Sequence, residues 1–109
     1  MRLMGIDQTT IDEIVRRVTS VVPAKKIIVF GSAATGQITP DSDVDLLVVQ
    51  ADPGDRRKES VRIHSALRGL GYPFDVIVIG AEWFEASKNV IGGIAYPANK
   101  YGRVIYDAA

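Results

Sequence analysis

Two short apolar runs separated by a polar stretch restrict this chain more than any other feature. Ile27-Ile28-Val29-Phe30 and Leu46-Leu47-Val48-Val49 are rich in β-branched and aromatic residues, so both are expected as buried strands. The segment between them then sits at strand ends. Side chains alternate across a strand, which puts Asp43 and Asp45 on one face with Cα atoms about 6.8 Å apart. Val44 and Leu46 turn the other way, into packing. Carboxylates this close raise one another's pKa unless a cation or a donor compensates them. A pair of oxygen ligands at a strand entrance therefore asks for a hard divalent ion, Mg²⁺ or Mn²⁺.

The linking segment opens Gly31-Ser32-Ala33-Ala34-Thr35-Gly36. This fits the Gly-x-x-x-x-Gly half of a phosphate-binding loop, but Gln37-Ile38 stands where Lys and Ser or Thr must follow, so that reading fails. What remains is a turn without a bulky side chain at Gly31, running into a short helical stretch through Ala33 and Ala34. Its free N–H groups would face an anion and the Ser32 hydroxyl would donate another hydrogen bond. Pro40-Asp41-Ser42 is the turn that re-aims the chain into the second strand. A third aspartate, Asp75, interrupts the apolar run Phe74-Asp75-Val76-Ile77-Val78-Ile79. A carboxylate inside such a strand is costly unless it is paired or metal-bound. Asp75 is thus expected either in a salt bridge to a basic residue of a neighbouring strand, or in the site as a metal ligand and a base for an attacking hydroxyl.

Around this centre the pattern is helical. Ile11, Ile14, Val15, Val18 and Val22 follow the i, i+3, i+4, i+7 rhythm, with Thr9 or Thr10 as cap, Asp12 and Glu13 in the first turn and Pro23 as terminator. Glu13, Arg16 and Arg17 fall on the solvated side. Lys25 and Lys26 open the first strand. After the Pro53-Gly54 turn, Asp55 caps a helix over 56–70, packed through Val61, Ile63, Leu67 and Leu70 and stopped by Gly69-Leu70-Gly71. Its first turn carries Arg56, Arg57 and Lys58, a solvated basic cluster; His64 reads as a surface or boundary residue. A short helix from Ala81 through Ser87 is expected to bury Trp83 and Phe84. A glycine-hinged stretch with Tyr96 follows, then helix near Ala98–Tyr101 and a last strand, Arg103–Tyr106.

Composition narrows the function. Thirteen Lys plus Arg balance thirteen Asp plus Glu, so the chain has no basic field with which to grip free nucleic acid. With no cysteine and one histidine, oxygen ligands are the only good metal option. No run approaches membrane-spanning length and the first residues lack the apolar stretch of a signal peptide, so the expectation is one soluble, cytoplasmic domain over 1–109.

Gly31-Ser32 followed by Asp43-x-Asp45, with Asp75 on a later strand, resembles the signature of the DNA polymerase β-like nucleotidyltransferases, and above all their minimal members. The match is carried by residues 25–80. At positions 33 and 35, where many members have arginine, this chain has Ala33 and Thr35. The resemblance implies an α+β fold, a small mixed β-sheet with helices packed on one face. It implies that Asp43, Asp45 and Asp75 hold Mg²⁺ or Mn²⁺ around a nucleoside triphosphate, while Gly31 and Ser32 hold its phosphates. It further implies transfer of AMP from ATP to a tyrosine of a HEPN-family toxin, with this chain as antitoxin and any larger assembly formed through that partner. The chain is too short to contain an acceptor-binding domain as well, which also points to a partner. The alternatives are a non-catalytic antitoxin subunit of the same fold, a nucleotidyltransferase for a small molecule with a separate acceptor-binding subunit, or a small metal-binding regulatory domain.

Overall fold

The computed structural model describes residues 2–3, 6–31 and 43–108. Along these the chain runs β1 (Arg2–Leu3), β2 (Ile6–Asp7), α1 (Gln8–Val21), β3 (Ala24–Phe30), β4 (Val44–Gln50), α2 (Arg56–Ala66), β5 (Phe74–Gly80), α3 (Ala81–Ser87), α4 (Ala95–Tyr101) and β6 (Arg103–Asp107). The main sheet has the order β5-β4-β3-β6. β3 is antiparallel to both its neighbours, and β4 is parallel to β5 across the helical crossover α2. This is the expected mixed sheet of an α+β fold. The β1–β2 hairpin was not expected, because two-residue strands carry no readable period.

The central strands are apolar at consecutive positions, so both faces of the sheet need cover. On one face, Ile27, Val29, Leu46 and Val48 join Ile14 and Val18 of α1 and Ile63 of α2 in one buried cluster. Burying a side chain of this kind stabilises the fold by about 1.5–3 kcal/mol. The two long helices thus share one face, as expected. On the other face, Ile28, Leu47, Val49 and Ile79 meet Phe84 of α3 and Ala95 and Ala98 of α4. The short helices therefore extend the expected single helical layer with a second, smaller one.

Several boundaries differ from expectation for local reasons. The cap of α1 is Asp7, whose carboxylate accepts from Thr10 N at 3.0 Å, rather than Thr9 or Thr10. Asp12 and Glu13 accordingly fall in the second turn. Asp55 does cap α2, accepting from Lys58 N at 3.1 Å. That helix stops at Ala66, because Leu67 leaves the helical region and Gly69 and Gly71 take φ of +89° and +91°. Val61, expected to pack, is 58% exposed, whereas Ile63 and Leu67 are buried as expected. Trp83, expected in the core, is 47% exposed while Phe84 is buried. In a helix of seven residues the sheet-facing line holds Ala81 and Phe84, and Trp83 lies a step of about 100° away. Helix α4 starts before Pro97, which sits in the first turn where its missing N–H has no partner to lose.

Arg17 corrects the reading of a merely solvated face. Its Nη1 donates to Ala66 O at 3.2 Å and Arg68 O at 2.8 Å, tying α1 to carbonyls at the end of α2, and its Nε donates to Glu13 at 2.8 Å. Hydrogen bonds from Arg16 and Arg17 hold the Glu13 carboxyl down to about 2. Among the described residues the Arg16 side chain bonds only Glu13, and it is 68% exposed. Arg17→Ala is expected to lower the unfolding free energy by about 2 kcal/mol, and Arg16→Ala by clearly less, because its ion pair is open to water. Urea denaturation of the two variants checks this, and equal losses would remove the inter-helix role.

Candidate active site

Two neighbouring strands deliver the three acidic residues to one end of the sheet. Asp43 immediately precedes β4, Asp45 is its second residue, and Asp75 is the second residue of β5. In the parallel register Asp45 stands opposite Asp75, and in the antiparallel register on its other side it stands opposite Phe30. The hydrogen bond from Val44 N to Pro73 O, 2.8 Å, fixes this register at the strand entrance. By alternation the three aspartates belong to the face of Leu47 and Ile77, away from Val44 and Leu46. Short helices α3 and α4 cover that face over Leu47, Val49 and Ile79. At the aspartate end, Asp43 and Asp75 are exposed and Asp45 is half-buried.

The electrostatics centre on Asp45. Its pKa is raised, first by burial, then by the charge of Asp75, then by that of Asp43. Asp75 was expected to carry the cost of burial. Near the start of an edge strand and on the open end of its face it is instead exposed, and the desolvated carboxylate is Asp45. Among the described residues none gives an ion pair to Asp43, Asp45 or Asp75, so the salt-bridge reading of Asp75 has no support.

Gly31 follows β3 with φ +70°, in the left-handed region. A Cβ there would collide with Asp45 Oδ2. Glycine is thus needed twice, for the turn and for the close approach of backbone to carboxylate. Ser32, the other expected phosphate-binding residue, lies outside the described residues, as do Ala33, Ala34, Thr35 and the Pro40-Asp41-Ser42 turn.

The donor set fits a hard divalent cation: it is all carboxylate oxygen, and no base among the described residues relieves its mutual repulsion. Among the described residues no group of three or more carboxylates or imidazoles is gathered closely enough to hold one ion. The aspartates are neighbours on a shared sheet end rather than a closed coordination sphere. The pattern Asp-x-Asp plus a later Asp located all three in the sequence. The contact of Gly31 with Asp45 had no sequence signal beyond the glycine itself.

The profile of the nucleotidyltransferase domain family matches residues 11–96, and the chain belongs to that family. It is a nucleotidyltransferase. Among solved structures, a toxin–antitoxin with AMP-PNP superposes with a TM-score of 0.65 at 21% identity, covering 89% of this chain and 73% of that one. A Sulfolobus solfataricus protein assigned to the nucleotidyltransferases superposes with a TM-score of 0.59 at 22% identity, covering 91% and 78%. Both share the fold. A search of curated proteins returns no match. None of the helices among the described residues is long and apolar enough to cross a membrane.

Asp45 also sets a pH dependence. A carboxyl whose folded pKa lies above its unfolded value leaves the native state binding more protons, so it costs stability as pH rises through the folded value. Asp45→Asn is therefore expected to raise the melting temperature in metal-free buffer at pH 7–8, with the gain shrinking as pH falls toward the usual aspartate value of about 3.9. Melting curves across that range check the sign, and a variant that melts lower at pH 8 contradicts it.

Proposed function

We propose that residues 1–109 act as one nucleotidyltransferase domain that moves AMP from ATP onto a tyrosine hydroxyl of a partner toxin of the helical HEPN class. On this reading the chain is the cytoplasmic antitoxin of the pair. The observation that carries the proposal is the register of Asp45 against Asp75, with Asp43 two residues before Asp45, on an exposed end of the sheet. Carboxylates concentrated outside the core, with one of them disfavoured as an anion, suit a site that handles cations and phosphates rather than one that only packs.

In this mechanism the acceptor hydroxyl oxygen attacks the α-phosphorus of ATP. The new O–P bond forms as the bond from that phosphorus to the bridging oxygen breaks, and pyrophosphate leaves. Asp43, Asp45 and Asp75 would hold Mg²⁺ or Mn²⁺, which when bound offsets the charge on the attacking and leaving oxygens. Asp75, exposed beside the acceptor's approach, takes the hydroxyl proton. Asp45 stays against the Gly31 backbone, where the turn keeps its carboxylate in place. Gly31 and Ser32 are assigned to the phosphates.

A protein acceptor is supported by the fold shared with a chain of a toxin–antitoxin structure and by the apolar side chains that α3 and the following loop expose, Trp83, Val90 and Ile91. A chain with no net charge is poorly equipped for free RNA or DNA as acceptor. Mixing the protein with a helical HEPN-class protein, the product of the neighbouring reading frame where it encodes one, ATP and Mg²⁺, then weighing that protein intact, tests the assignment. The expected result is a gain of one or more adenylyl units, lost in Asp43→Ala and reduced by orders of magnitude in a folded Asp45→Asn variant. Complex formation without a mass gain would instead identify a binding-only antitoxin.

A further inference from the structure

β5 is an edge strand, and its free side is closed by two side chains of α2. His64 Nε2 lies 3.1 Å from Phe74 O, and Ser60 Oγ donates to Val76 O at 3.1 Å. In a parallel ladder alternate residues turn their peptide groups toward the neighbouring strand, and the others turn theirs outward. Pro73 O is taken up by Val44 N of β4, so Phe74 O and Val76 O are the outward pair. Ser60 and His64 are four residues apart, one turn of α2, and meet two outward carbonyls spaced two residues along the strand. A carbonyl only accepts, so Nε2 carries the proton in this contact.

The contact at Phe74 O differs from the other in what it fixes. Phe74 C=O and Asp75 N–H are the two ends of one peptide group, and in a trans peptide they point in opposite directions. β4 engages that strand from one side and His64 holds the same peptide from the other. The orientation of this group sets where the Asp75 Cα–Cβ bond points, and hence how Asp75 stands relative to Asp45. Ser60 clamps the next outward peptide, between Val76 and Ile77, beyond Asp75.

We propose that His64 is a positioning residue for the nucleotidyl-transfer site, holding the Phe74–Asp75 peptide so that the Asp75 carboxylate stays in register with Asp45. The proposal rests on Asp75 belonging to the metal and nucleotide site. His64 itself is exposed and borders a cavity of about 230 Å³ lined also by Leu67, Arg68, Tyr72 and Phe74. Truncating it thus removes the hydrogen bond with little loss of packing, and a substitute side chain has room.

Calorimetry of ATP binding in Mn²⁺, with hydrogen exchange of the free protein followed by mass spectrometry, tests the proposal. His64→Ala is expected to weaken Mn²⁺-dependent ATP binding by about 10- to 100-fold, as loss of a group supporting a metal ligand does. It should also speed exchange in the segment 73–76. His64→Gln, which keeps a donor near the Nε2 position, should recover most of the affinity. Ser60→Ala removes the equivalent bond one turn away and should lower the melting temperature comparably while keeping affinity within about threefold of the parent. Wild-type affinity in His64→Ala, or a parallel loss in Ser60→Ala, would overturn the positioning role. Asp75→Asn separates the two levels: if it binds Mn²⁺ and ATP like the parent, the site assignment fails and the proposal with it. If it binds poorly while His64→Ala binds normally, only the positioning role fails.

Discussion

The parallel pairing of β4 with β5 is the interaction on which both the fold and its chemistry depend. Because side chains alternate along a strand, a slip of one residue would turn Asp75 into the helical core and present Phe74 or Val76 to Asp45. The same slip would carry Val76 and Val78 out of the cluster they share with α1 and α2. Core packing therefore enforces the register, and the register assembles the acidic end of the sheet. The site needs no separate scaffold.

That arrangement sets stability against function at one residue. Asp45 is half-buried, faces two like charges and has glycine backbone pressed against its carboxylate. Burial and the two like charges disfavour the charged form. The apolar residues of the strands absorb this cost, since Ile27, Leu46, Leu47 and Val48 are wholly buried. The repulsion persists in the folded chain because the pairing of β4 with β5 keeps the carboxylates from drifting apart.

How much of this was legible in the sequence depends on how local the signal was. The strands around Ile27 and Leu46, and the Asp-x-Asp spacing, could be read because alternation and β-branching act over a few neighbouring residues. The cap at Asp7 was missed because Thr9 and Thr10 offer equally good oxygens nearby, and only the backbone decides among them. Trp83 misled because large aromatic residues favour the interior, whereas a two-turn helix has only one narrow face to bury. The exposure of Asp75, the contacts of Arg17 and the reach of His64 to Phe74 O each join segments distant in sequence. Such contacts follow from the completed topology and leave no pattern in any one stretch.

The same topology has a consequence for how the chain is made. β3 sits inside the sheet, yet one of its two partners, β6, emerges from the ribosome long after it; Ile27 must wait for Tyr106. Until then β3 offers an unpaired apolar edge, the kind of surface on which nascent chains stick to one another. Lys25 and Lys26 stand at the start of that edge, and charged residues there discourage pairing with a foreign strand. When β6 arrives, Ala108 N closes on Lys25 O at 2.8 Å and Lys26 comes within 3.9 Å of Asp107. Lysines that guard the strand during synthesis become part of the seam that finishes it.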